Sequence, residues 1–168
     1  ESELIRQVKP TFDLSEMHVV RNIYSDKARN YVLRQGKANF SQGSLGHDVI
    51  RAYKMNGIVP ESAYDGLLDG EKVHNHGEME AALKGMLDGI VKGKRPSSKW
   101  QKGFEAIMDV YMGDVPKTFV YEGKEYTPQS FAADLGINPD DYISFTSYSH
   151  HPFYDKCILE IPDNYSNG

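Results

Sequence analysis

Cysteine is nearly missing from this chain: Cys157 is the one thiol in 168 residues. A single cysteine excludes an internal disulfide framework and any cysteine-rich zinc site, and it leaves the compartment open. Long hydrophobic runs are missing as well. None approaches the roughly 20 apolar residues needed to span a bilayer, and Glu1 opens a polar stretch without a signal-peptide pattern. There is no basic excess: 19 Lys and Arg stand against 24 Asp and Glu, a formal charge of −5, and the basic residues are scattered. Such a distribution argues against a nucleic-acid or anionic-membrane surface. No internal repeat, low-complexity tract or proline-rich linker divides the chain. What is present, 39% hydrophobic and 11% aromatic residues, is the composition of one soluble globular domain with enough apolar side chains for a core.

The order of elements is helical first, mixed in the middle and β at the end. Glu1 to Val8 are strong helix formers with no capping residue before them, which predicts a helix already under way and a natural chain that extends upstream. Ser15 is placed to cap a helix running to about Arg34, with Val19, Val20, Ile23, Val32 and Leu33 on its apolar face and Gly36 as the residue that ends it. A loop, Asn39 to Gly46, leads to a short helix from His47 to Met55. Ile58-Val59-Pro60 leaves it extended. Two further helices, Glu78–Val91 and Lys99–Met112, each stop at a glycine and form an αα-hairpin, with Trp100, Phe104 and Ile107 as core. Thr118–Tyr121 and Lys124–Tyr126 flank Glu122-Gly123 as a β-hairpin. Thr127-Pro128 then opens the helix Gln129–Leu135, closed by Gly136. Asp140-Asp141 caps or solvates a turn, and Tyr142–Tyr148 and Lys156–Ile161 are β-rich runs around His150-His151-Pro152.

Few residues suggest chemistry by themselves. His74, His76 and Glu78 combine imidazole and carboxylate at a spacing that could hold zinc. They do not form the two-histidines-on-one-helix-face arrangement, and Asn75 or His76 more naturally caps the helix that follows. Cys157 could serve as a nucleophile only in an electropositive, partly exposed setting. In an apolar strand it is a small hydrophobe instead. The loop Asn39-Phe-Ser-Gln-Gly-Ser-Leu-Gly46 lacks the Gly-Lys-Ser/Thr of a phosphate-binding loop. Its glycines allow another backbone to come close, so it serves either as a permissive connector or as an edge on which an extended peptide lies as an added strand. The residues alone therefore give a mixed α/β piece with no assembled catalytic set.

Several segments in order resemble the bleomycin hydrolase and aminopeptidase C branch of the papain-like cysteine peptidases. They are Glu1-Ser-Glu-Leu-Ile-Arg6, Asp13-Leu-Ser-Glu-Met17 with Val19-Val-Arg21, Gly43 to Ile50 with Gly57-Ile-Val-Pro60, and Gly123-Lys-Glu-Tyr-Thr-Pro128. Ser130-Phe-Ala-Ala133, Asn138-Pro-Asp-Asp-Tyr142 and His150-His-Pro-Phe-Tyr154 leading to Ile161-Pro-Asp-Asn164 complete the set. The resemblance implies an α+β chain that is part of a papain-like fold. Residues 1–63 would be the helical half, 64–141 an inserted helical and hairpin segment, and 142–168 the first strands of the β half. It further implies a thiol-dependent peptidase, working through an acyl-thioenzyme and needing no cofactor. The family's Cys would lie about ten residues before Glu1, and its His and Asn beyond Gly168. No catalytic residue is then expected inside the chain, and the segment alone is expected to be inactive. Gly43 and Ser44 match the family's Gly-Gly, whose backbone pairs with the peptide substrate, Ser44 departing from the second glycine. The remaining segments of the parent chain and a homo-oligomer are the other implied partners. The competing reading is a non-catalytic peptidase-like scaffold for peptide binding or assembly.

Overall fold

The computed structural model describes residues 12–68, 70–143, 145 and 151–157. The helix expected over Glu1 to Val8 lies outside these residues. Among the described residues there are five helices: α1 (Glu16–Leu33), α2 (Gly46–Asn56), α3 (Gly77–Lys92), α4 (Lys99–Met112) and α5 (Pro128–Leu135). A two-stranded antiparallel sheet, β1 (Phe119–Tyr121) and β2 (Lys124–Tyr126), lies between α4 and α5, and short 3-10 turns occur at Glu61–Ala63 and Pro139–Asp141. The chain is thus a mixed α+β fold.

The core follows from helical periodicity. Met79, Leu83 and Leu87 on α3 recur every four residues, as do Phe104, Met108 and Met112 on α4, and all six are fully buried. The two helices form the expected hairpin, close enough that a Cβ on Gly103 would sit 2.9 Å from the Met86 methyl. α1 lies against both, contributing Tyr24, Ala28 and Tyr31, and on its other side Val19 and Ile23 meet Ala52 of α2. Because α1 is enclosed on two sides, its buried set includes His18, Arg21 and Lys27. Arg21 ties α1 to α4: Nη1 donates to Glu105 Oε2 at 2.7 Å and Nη2 to Asp109. Leu33, expected on the apolar face, is instead 72% exposed, because it follows the exposed Arg29 by four residues on the outer face of α1.

The termini of α1 are built as the sequence suggests, with one change. Ser15 Oγ accepts from the His18 amide at 2.9 Å. At the other end the Gly36 amide donates to Tyr31 O and the Gln35 amide to Val32 O, the paired bonds of a Schellman motif. Gln35, not Gly36, therefore takes the left-handed C′ position, at φ 54°.

The hairpin turn places Glu122 and Gly123 at φ 48° and 78°, the two positive values of a type I′ turn. Register pairs Phe119 with Tyr126 and Tyr121 with Lys124. Phe131 of α5 packs edge-on against Phe119, Tyr121 and Tyr126 at 5.2–5.4 Å. Thr127 and Ser130 exchange the hydrogen bonds of a capping box, with Pro128 at the first helical position.

The extended segment after α2 joins these parts. Ile58 N donates to Pro128 O, while Ser15 N reaches Val59 O and Glu61 N reaches Asp13 O, at 2.9–3.0 Å. Gly57 at the junction has φ 75°, and a Cβ there would lie 2.3 Å from the Pro128 carbonyl carbon, so the close approach requires glycine.

The expected strands at the C-terminal end are corrected where they can be seen. Tyr142, Ile143 and Phe145 are exposed and not in a strand, and residues 151–157 form turn and irregular backbone. Residues 144, 146–148 and 158–161 of those runs lie outside the described residues. Cys157 is likewise exposed rather than buried in an apolar strand, since the backbone around it pairs with no neighbouring strand among the described residues.

Candidate functional site

The loop between α1 and α2 is held at three points. At its near end Phe40 is 4% exposed and packs against Tyr24, Tyr31 and Phe104 with ring centroids 5.8–6.2 Å apart. At its far end the Leu45 amide donates to Asp48 Oδ2 at 3.0 Å, and the Asp48 amide returns a bond to Leu45 O. Asp48 is buried as the third residue of α2, where a carboxylate also meets the positive end of the helix. Between these ends the Lys27 ammonium, on α1, donates to Ser41 O at 2.8 Å and to Gly43 O.

Lys27 is 3% exposed. Burial lowers its pKa, against the opposing influence of Asp48 and Glu80. Carbonyl oxygens are the natural partners for such a cation, because they solvate it without a second buried charge. Beside Lys27, burial and the Glu80 carboxylate push the Tyr24 phenol up to about 12, so it stays a neutral hydroxyl.

Gly43 sits at the crest of the loop with φ 84°, and a Cβ built on it would meet nothing within 4 Å. The space over its backbone is open. Gly43 and Ser44 are exposed, and with Val20, Ile23, Tyr24, Lys27 and Ser41 they line a cavity of about 80 Å³. Apolar walls on one side and loop backbone on the other are the ingredients of a side-chain pocket beside a backbone-binding edge. A wider groove, about 850 Å³, lies at the C-terminal end of α1 between Arg29, Leu33, Val91, Lys94 and Trp100, away from this loop.

The histidine cluster is differently arranged. His74 and His76 lie with ring centroids 5.8 Å apart before α3, but Glu78 accepts from the Tyr111 hydroxyl at 2.9 Å. Among the described residues no three His, Cys, Asp or Glu side chains are placed to hold a metal ion. Asn75 Oδ1 accepts from the Gly77 amide at 3.2 Å, the role foreseen for a residue before the helix. Burial, helped by His74, lowers the His76 pKa. Asp140 pairs with Lys54 at 2.6 Å and its amide is capped by Asn138, so the acidic pair belongs to a turn.

Sequence reasoning singled out Gly43 and Ser44 but missed Lys27, which occupies a weak stretch of the α1 pattern. The available signal was a lysine one residue before Ala28, on the face where Tyr24 and Tyr31 also fall. No protein-family model matches the chain, and no curated protein matches its sequence. No helix among the described residues is long and apolar enough to cross a membrane.

Proposed function

We propose that the chain is the backbone-binding segment of a thiol-dependent peptidase resembling the aminopeptidase C and bleomycin hydrolase branch, with its papain-like halves and insertion as described from the sequence. The observation that carries this reading is the open crest at Gly43 on a loop that is otherwise fixed. An extended peptide needs a rigid backbone edge with nothing above it, and residues 41–44 supply one. The nucleophile, base and orienting Asn belong to other parts of the parent, which would cleave peptide bonds through an acyl-thioenzyme. Phe145, Phe153 and Tyr154, all more than 70% exposed, are surface that a further segment of the parent would cover.

The test has two arms. The 168-residue chain should bind an extended peptide and should not turn over an aminoacyl-coumarin, with or without thiol. Thiol-dependent turnover by this chain alone overturns the assignment of the catalytic groups to other segments. Failure to bind peptide overturns the role of the loop. A second reading is a non-catalytic scaffold, in which the exposed Cys157 is the chain's single thiol and carries no chemistry. Thiol labelling of the intact parent separates the two: a peptidase has a second, fast-reacting cysteine, whereas a scaffold has none.

A further inference from the structure

We propose that Lys27 is a positioning residue for peptide recognition: by turning the Ser41 and Gly43 carbonyls inward, it aims the Ser44 amide outward at a carbonyl of an extended peptide. The inference rests on the peptide-binding reading of the loop and adds to it the group that sets its geometry.

The argument is one of peptide-plane geometry. No cis peptide bond occurs among the described residues, and in a trans peptide the C=O of one residue and the N–H of the next point in opposite directions. The Gly43 carbonyl faces Lys27, in the interior. Ser44 N–H therefore faces away from the interior. The same holds for Ser41 and the Gln42 amide, the Ser41 carbonyl lying 2.8 Å from Nζ.

Gln42 and Ser44 are exposed, and among the described residues neither amide donates to a backbone group. The loop thus shows two outward donors whose partner carbonyls are both held by one cation. Gly43 between them, at φ 84°, lets the chain turn while leaving the space above clear. A lysine suits this task better than an arginine, because a compact ammonium directs its hydrogens at separate carbonyls without a planar fork. Anchored at Phe40 and Asp48 only, the intervening peptide planes would be free to rotate. With the ammonium in place their directions are set before any ligand arrives, which removes an ordering cost from binding.

The experiment uses the full chain and a tetra-alanine peptide, with analogues in which each carbonyl in turn is a thioamide, a weaker acceptor. On the wild type, one position of substitution should weaken binding several-fold, marking the carbonyl that meets Ser44. In Lys27→Met, overall affinity should fall about tenfold and the dependence on thioamide position should vanish, while ¹⁵N relaxation shows new motion at residues 41–44 and none in α3 or α4. Ser44→Pro, which removes that N–H and also restricts the backbone at residues 43 and 44, should likewise erase the position dependence, and it tests the proposal should Lys27→Met not fold. Wild-type affinity with an unchanged thioamide profile in either variant overturns the positioning role while leaving peptide binding intact. No binding of the parent peptide by the wild-type chain overturns the peptide-binding reading and this inference with it.

Discussion

The α3–α4 seam and the loop at 39–46 are both well fixed, by opposite means. The seam is made of side chains: six apolar residues at four-residue spacing, none more than 1% exposed, interdigitate, and Arg21 Nη1 donates to the Met108 sulfur at 3.2 Å. The loop is made of backbone, and a buried ammonium together with a buried carboxylate sets it in place. Apolar packing gives stability but little direction, since dispersion contacts are non-directional. Hydrogen bonds to a desolvated cation give direction at little net stability, because burying the charge offsets what the bonds contribute. A fold can therefore keep a surface edge aligned without enlarging its core.

Substitutions can break or sharpen this contrast. The largest effect is expected in the seam: Phe104→Ala should cost about 3–5 kcal/mol, read as a lower denaturation midpoint, and should disturb the loop as well, because Phe40 packs on that ring. If Phe104→Ala leaves the loop amides unshifted in a ¹H–¹⁵N spectrum, the two regions are less coupled than their contacts require.

Acid should act next. His18 is buried, and burial lowers its pKa from 6.5 to about 4. The folded state therefore binds fewer protons than the unfolded chain below about pH 6.5. The stability contribution is complete above that value and is lost as pH falls toward 4, by roughly 3 kcal/mol in total. Denaturant titrations across this window should show the loss in the wild type and a flatter profile in His18→Leu.

Gly57→Ala meets both a positive φ and the Pro128 backbone, so about 1–3 kcal/mol of strain is expected. Calorimetry should show a lower Tm, with α5 the first element to lose amide protection.

Lys27→Met should change stability by about 1 kcal/mol, since the lost bonds and the relieved burial of the ammonium nearly cancel. A loss as large as that of Phe104→Ala would mean the cation holds the fold and not only the loop. The smallest effect belongs to Glu122→Asn. Asparagine tolerates the left-handed conformation that Glu122 adopts at φ 48°, so a gain of a few tenths of a kcal/mol is expected in thermal unfolding.

Local signals in the sequence carried far where structure depends on near neighbours. Ser15, the Glu122-Gly123 turn, Thr127-Pro128 and the full span of α4 are all set by caps, turn chemistry and periodicity within a few residues. The Gly43-Ser44 loop was visible from its small residues. Long-range partners were not legible. Lys27 is buried because carbonyls 14 and 16 residues later fold back over it, and Arg21 because carboxylates more than 80 residues away meet it. Read by hydropathy, both weaken the helix that they help to hold. Leu33 erred the other way: it is apolar but falls four residues after Arg29, on the exposed face of α1. Cys157 misled because an apolar run suggests burial, whereas burial needs a neighbouring surface.

Phe40 has a mechanical consequence. It is the hinge pin of the loop, seated among rings from α1 and α4, so the position of residues 41–44 is inherited from the spacing of those helices. A slow drift of core volume, even by substitutions far from the surface, would be transmitted through that ring as a shift of the edge. Selection on the position of the loop would then be felt as selection on the packing beneath it.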